Sequence, residues 1–299
     1  MIAENIKSLV GNTPLLKIAC PEIPEANVYV KLESFNPTGS IKDRACLYSI
    51  LAAEQSGALR NGKTILDASS GNMACSLAYF GYVLGYPVKV VCGSKLTADK
   101  RDFIEYFGAE LVFHGDLTFQ GNALCREMAA APAAGEDYCF LDQLHNPANP
   151  VAAEETLGPE IYADLPEVRA IAGSMGTGGS MCGVARFIKR TNPSIGIFTA
   201  QAAPGTRIPG TGSFDAGDYA TPFVTELASV ADASFRITQY QAEERTRQLR
   251  KQGVFAGFQA GGVLETLIRG VKKFGIGGDV VMIIGDAGWK NMDKLKSMA

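Results

Sequence analysis

Short apolar segments rich in β-branched residues recur along the chain, and each runs into a Gly/Ser-rich turn followed by roughly ten or more residues of helical pattern. This alternation constrains the fold most, because strands joined by helical crossovers assemble as a parallel sheet with helices on its faces. Strands are expected over 27–32, 63–68, 88–92, 109–113, 170–173, 196–200 and 279–284. Helices are expected over 42–56, 73–84, 97–107, 118–130, 150–162, 181–190, 241–252 and 263–273. The fold class is α/β. A length of 299 residues predicts two domains or one domain carrying a large insertion, and the Pro/Asn-rich stretch His145–Pro150 is the natural boundary.

Composition narrows the function. Lys plus Arg is 28 against 31 Asp plus Glu, a net charge of −3, which lacks the basic footprint that nucleic acid or an anionic membrane surface requires. No run approaches the ~18 apolar residues of a spanning helix and the N-terminus has no leader pattern, so a cytoplasmic protein is expected. The 7 cysteines are scattered without a Cys-x-x-Cys pair and read as reduced, buried thiols. With 2 histidines, His114 and His145, neither a triad nor a multi-histidine metal centre is expected. Difficult chemistry falls to an organic cofactor.

Gly57–Thr64 fits the Walker A spacing, but a helix precedes it and a strand follows, the reverse of a P-loop. Gly57 then ends a helix, and Asn61-Gly62 turns into the strand. Gly176-Thr177-Gly178-Gly179-Ser180 does lie between a strand and a helix. Met181 and Gln201 stand where a dinucleotide site needs its third glycine and its acidic residue. What remains is either a flexible turn or a cradle of backbone N–H groups for one phosphate. The Gly-rich stretch 205–217 suits a loop over a site or a plain surface loop.

Lys42 falls in the first turn of a helix that Ser40 is positioned to cap, where the helix field favours the neutral amine that a Schiff base requires. Ser69-Ser70-Gly71-Asn72 occupies another strand-to-helix turn, which serves as a helix cap or as a carboxylate cradle. One lysine, one carboxylate cradle and one phosphate cradle describe an amino acid held on pyridoxal 5′-phosphate.

These segments resemble, in order and over nearly the whole chain, the fold-type II pyridoxal-phosphate enzymes of the cysteine synthase and cystathionine β-synthase family. Val10–Leu15 resembles the opening motif. Lys31-Leu32-Glu33, Asn36-Pro37 and Ser40–Arg44 resemble the Schiff-base segment. Asp142-Gln143, Asn146–Pro150 and Thr156–Ile161 resemble the stretch after the smaller domain. The resemblance implies a tryptophan synthase β-like fold of two domains, each with a helix-flanked, mostly parallel sheet. Residues 35–146 would form a smaller mobile domain, 13–34 with 147–299 the larger one, and 1–12 an N-terminal arm. It implies that Lys42 is the catalytic residue and covalent anchor, and that Asn72, Gly176, Thr177, Gly178, Gly179, Ser180 and Gln259 bind the cofactor. Ser69, Ser70, Gly71, Asn72, Met73 and Gln143 would bind the substrate.

The chain departs from the family pattern at three places. Ser180 replaces Thr in the phosphate cup, Met73-Ala74 replaces Thr-Gly, and Gln259 replaces the serine that hydrogen-bonds the pyridine nitrogen, leaving no acid at that nitrogen. The implied activity is β-replacement on an O-activated serine, with O-acetylserine and sulfide giving L-cysteine; the Gly210-Thr211-Gly212 turn beside Arg207 resembles acetylserine users. Open alternatives are another nucleophile such as an amine, β-elimination as a dehydratase or desulfhydrase, and a non-catalytic cofactor-binding scaffold. Family habit implies a homodimer and docking of a serine acetyltransferase tail.

Overall fold

The computed structural model describes residues 2–296 apart from Asn61, Ser70 and Lys95. Among them the strands are β1 (Leu15–Ile18), β2 (Ala26–Leu32), β3 (Thr64–Ala68), β4 (Val88–Cys92), β5 (Glu110–Phe113), β6 (Tyr138–Phe140), β7 (Ala170–Ser174), β8 (Gly196–Ala202), β9 (Ala233–Ile237) and β10 (Gly278–Ile284). The helices are α1 (Lys42–Gln55), α2 (Asn72–Leu84), α3 (Ala98–Tyr106), α4 (Thr118–Ala130), α5 (Ala148–Ala152), α6 (Gly158–Asp164), α7 (Gly179–Thr191), α8 (Pro222–Val230), α9 (Gln239–Lys251), α10 (Gln259–Phe274) and α11 (Met292–Lys296), with a π turn over Ala153–Leu157 joining α5 to α6.

The chain divides into two compact units, Met1–Ile41 with Pro150–Ala299, and Lys42–Asn149. The sequence reading draws its boundaries a few residues earlier, at 34/35 and 146/147. The first unit holds a sheet in the order β1-β2-β10-β7-β8-β9, parallel except where β1 runs antiparallel to β2. The second holds an all-parallel sheet, β5-β4-β3-β6.

β10 shows why the sequence folds this way. Val280 to Ile284 is apolar without interruption, as a strand covered on both faces must be. Its alternation sends Val280, Met282 and Ile284 into a cluster with Val263, Leu264 and Leu267 of α10, and Val281 and Ile283 into another with Val184, Ala185 and Ile188 of α7.

All expected strands are present to within a residue or two, and β1, β6 and β9 join them at sheet edges. The unexpected α8 begins at Pro222, with Thr221 accepting a hydrogen bond from the Val224 amide at 3.2 Å. The capping role read for Ser40 is corrected. α1 starts at Lys42, so Ile41 takes the cap position, while Ser40 bridges to Asp286 in extended pairing and keeps its Oγ buried without a hydrogen-bond partner among the described residues. The Walker-like stretch runs from helix to strand: α1 ends at Gln55, Gly57 turns with φ +72°, and β3 opens at Thr64; Asn61 lies outside the described residues. All seven cysteines are buried thiols outside any disulfide. No helix among the described residues is long and apolar enough to cross a membrane.

Candidate active site

In the second unit the reactive groups gather at the start of α1 and the C-terminal end of β3. Lys42 is partly buried as a residue, with its amine the more enclosed end, and that desolvation lowers the ammonium pKa to about 8. The Asp67 carboxylate acts the other way, favouring the charged amine. Asp67 is itself completely buried, and burial raises its pKa to about 7 against hydrogen bonds from the Ala68 amide (2.8 Å) and the Gln143 amide (3.2 Å).

The loop expected to hold a substrate carboxylate lies between β3 and α2. Ser69 is buried and its Oγ accepts from the Gly71 amide at 3.2 Å, so this hydroxyl braces the loop it was expected to equip for substrate. Ser70 lies outside the described residues. Gly71 caps α2 with open space where a Cβ would sit, and Asn72 and Met73 open the first turn, whose amides have no acceptor within the helix. The Met73 side chain is buried, leaving its amide as its polar offering. Gln143 donates its side-chain N–H to the Ala68 carbonyl at 2.6 Å and accepts at its own carbonyl from Asn149 at 2.8 Å. It therefore clasps the end of β3 to the 142–149 segment.

In the first unit, Gly176 to Ser180 connect β7 to α7. Gly178 has φ +81°, and a Cβ there would lie 2.8 Å from the Val224 amide nitrogen; one on Gly176 would lie 2.7 Å from the Gly210 carbonyl. Only glycine fits either position. Thr221 donates its hydroxyl to the Thr177 carbonyl at 2.6 Å, and Thr177 Oγ1 accepts from the Gly179 amide at 3.4 Å. The helix-start amides of α7 open beside this braced turn. The 205–217 stretch is tied in: the Gly212 amide donates to the Met175 carbonyl at 2.7 Å and Ile208 is buried.

Gln259 opens α10 and is buried. Its Nε2 donates to Asp286 Oδ1 at 3.3 Å, its Oε1 accepts from the Ser174 hydroxyl, and Asp286 Oδ2 accepts from Asn291 at 3.1 Å. The expectation that no acid stands at this position is thereby refined: one lies a single hydrogen bond behind it. Sequence reasoning missed Asp67, Ser174 and Asp286. Asp67 had a visible signal, an acid inside an otherwise apolar strand, Thr-Ile-Leu-Asp-Ala.

A family model described as pyridoxal-phosphate dependent enzyme matches residues 6–286. Cysteine synthase B of Salmonella typhimurium is 34% identical over 287 residues, covering 95% of this chain and 92% of that protein. A solved hydrogen sulfide-producing enzyme from Fusobacterium nucleatum superposes with a TM-score of 0.88 at 28% identity, covering 97% and 98% of the two chains. O-ureido-L-serine synthase superposes with a TM-score of 0.88 at 27% identity, covering 98% and 95%.

The residues fit the group that family uses. A braced turn that excludes side chains at Gly176 and Gly178 suits a compact dianion, and an amine desolvated to a pKa of about 8 suits an aldehyde. The Ser40 hydroxyl, two residues before Lys42 and buried without a hydrogen-bond partner among the described residues, is a further polar group left for a ligand.

Proposed function

The chain belongs to the pyridoxal-phosphate dependent enzyme family, as a fold-type II member of the cysteine synthase and cystathionine β-synthase group, and we propose that it is a transferase that forms L-cysteine from O-acetylserine and sulfide. The observation that carries this reading is the full-length likeness to cysteine synthase B. Bound pyridoxal phosphate supplies the electron sink that makes the substrate Cα proton acidic. The residues present divide the remaining work. Lys42 would hold the cofactor covalently and, once released, take the Cα proton as general base, for which an amine of pKa about 8 is well matched to neutral pH. The amides of Gly71, Asn72 and Met73 and the Asn72 side chain would hold the substrate carboxylate, with Gln143 bracing the loop end. The Gly176–Ser180 turn would hold the phosphate, and Gln259 would donate to the ring nitrogen. In the net reaction the Cβ–O bond breaks, acetate leaves with its electron pair, and a Cβ–S bond forms from hydrosulfide.

The test is to offer O-acetylserine, O-phosphoserine, serine and cysteine separately, with and without sulfide, and to quantify cysteine, acetate, pyruvate and ammonia. Cysteine and acetate in equal amounts, requiring both O-acetylserine and sulfide, are expected. Pyruvate and ammonia from cysteine or serine alone would overturn the reading in favour of elimination. The likeness to O-ureido-L-serine synthase favours a second reading, the same replacement with a different nucleophile. Supplying hydroxyurea or an amine in place of sulfide distinguishes it through O-ureidoserine or a 2,3-diaminopropionate derivative. The same proposal takes the protein as a cytoplasmic homodimer able to accept a serine acetyltransferase tail, checked by sedimentation and by titration with such a tail peptide.

A further inference from the structure

The Ser174–Gln259–Asp286–Asn291 chain lies wholly within the first unit. Its partners differ in what they tolerate. Ser174 is a hydroxyl, able to donate to a carboxamide oxygen or accept from a carboxamide N–H, so it accommodates the Gln259 amide in either orientation. Asp286 is not so permissive, because an ionised carboxylate only accepts; a flipped Gln259 would set its oxygen against a carboxylate oxygen. Asn291 strengthens the constraint by donating to the other Asp286 oxygen at 3.1 Å, which holds the carboxylate in place. The remaining charge in this turn, Lys290, has its ammonium over the Trp289 ring at 4.8 Å.

We propose that Asp286 is a positioning residue that locks the Gln259 carboxamide with its N–H side committed, so that the cofactor ring nitrogen meets a hydrogen-bond donor and is held unprotonated. The inference rests on the proposed function, since it takes Gln259 as the ring-nitrogen partner. One Gln259 N–H goes to Asp286, the oxygen is taken by Ser174, and the second N–H is what remains for a ring nitrogen. The acid thus acts through an amide that transmits orientation but no proton. A carboxylate touching the ring nitrogen directly would stabilise its protonated form, whereas this one, a residue removed, enforces the opposite state. Replacement of the family's serine by the longer glutamine is tolerated because both ends of the amide are clamped.

The test uses holoenzyme reconstituted with ¹⁵N-pyridoxal phosphate and reads the ring-nitrogen chemical shift at one slightly acidic pH, a measurement independent of turnover. The wild type should show a neutral pyridine nitrogen. Asp286→Asn, which removes the charge and lets the Gln259 amide turn its oxygen to the ring, should move the shift toward pyridinium. Asp286→Ser should do the same, and serves if the asparagine variant does not fold. Ser174→Ala should leave the shift at the wild-type value, because the hydroxyl does not choose the orientation. An Asp286→Asn shift equal to the wild type, or a Ser174→Ala shift that moves as far as Asp286→Asn, overturns the proposal. Gln259→Leu separates the premise from the inference: it should erase an about tenfold preference for pyridoxal phosphate over its 1-deaza analogue, the worth of one such hydrogen bond. An unchanged preference there removes the contact on which the proposal stands and leaves the cysteine synthase assignment untouched.

Discussion

The two units equip themselves for chemistry in opposite ways. The Lys42 side relies on ionisable groups whose properties depend on burial: an amine lowered to about 8, a carboxylate raised to about 7, and side chains such as Gln143 spent on holding backbone in place. The Gly176–Ser180 side relies on backbone geometry and neutral side chains, with its acid, Asp286, set behind an amide. A proton-transferring group must change charge during turnover, so its environment is tuned electrostatically. A group that only holds a phosphate needs fixed amides and no side chain in the way. Charge substitutions should therefore retune the Lys42 side, and steric ones should damage the Gly176–Ser180 side.

The largest effect should come from removing the amine. Lys42→Ala is expected to cut turnover by at least about a thousandfold, general-base catalysis alone being worth ~10²–10⁴. In the wild type, borohydride reduction followed by peptide mass mapping should place the pyridoxyl group on Lys42. Labelling at another lysine would transfer the role and erase the contrast between the regions.

Next comes the steric arm. Gly178→Leu puts a branched side chain on a φ of +81° and against the Val224 amide, so cofactor affinity should fall about a hundredfold, combining left-handed strain with collision. The rest of the fold should stay intact by circular dichroism. Gly205→Ala is the matched control, since φ is +75° there but a Cβ meets nothing within 4 Å; it carries strain without crowding and should keep its affinity. Equal losses in the two variants would mean that backbone strain, and not the shape of the cup, matters.

How much of this contrast was legible beforehand follows from the same physics. The Gly176–Ser180 turn, the Ser69–Asn72 loop and Lys42 stood out as candidates because each is a short local pattern beside a helix start, and β10 and α10 were legible because their apolar periods are long. The edge strands β1 and β9 escaped because their solvated faces interrupt any apolar run, and β6 because it is only three residues long. Thr221-Pro222, a cap followed by proline, was a signal available for α8. Asp286 became significant only through a tertiary neighbour, the side chain of Gln259, and Asp67, visible as an acid inside a strand, meets the amide of Gln143 at a separation no local pattern reports. Ser40 misled because capping depends on the residue at which the helix starts, and it starts at Lys42.

A smaller effect should appear in pH dependence. Capture of pyridoxal phosphate by the cofactor-free chain requires the neutral amine, so its rate should rise with pH through a midpoint near 8, below the ordinary lysine range. Asp67 favours the ammonium, so Asp67→Asn should shift the midpoint downward and raise the capture rate near neutral pH by about three- to tenfold. For stability the sign is separate. A lysine whose folded pKa lies below its unfolded value binds fewer protons when folded between pH 8 and 10.5, so its contribution to stability grows as pH rises through that window. A midpoint unmoved by Asp67→Asn would show that desolvation alone sets the amine, and the electrostatic half of the comparison would reduce to burial.

The smallest expected effect concerns Arg207, the one cation of the 205–217 stretch and the residue best placed in sequence to meet a phosphate leaving group. It is exposed, while its neighbour Ile208 is buried in the cluster of Ala200, Ala202 and Ile237 and the backbone is tied through Thr206 to Ala203 and through Thr211 to Ile208. The loop is thus anchored by its apolar and backbone groups, and the guanidinium is left in water. An exposed cation gains little from an anion, about 0–1 kcal/mol, because solvent screens it and the long side chain must be ordered. Arg207→Ala should therefore change turnover of O-acetylserine and of O-phosphoserine by less than about fivefold, and by the same factor. Measuring kcat/KM for both substrates in one preparation removes any common stability effect. A large loss confined to O-phosphoserine would mean that the neutral, backbone-built region carries a decisive charge after all, and that the leaving group is phosphate.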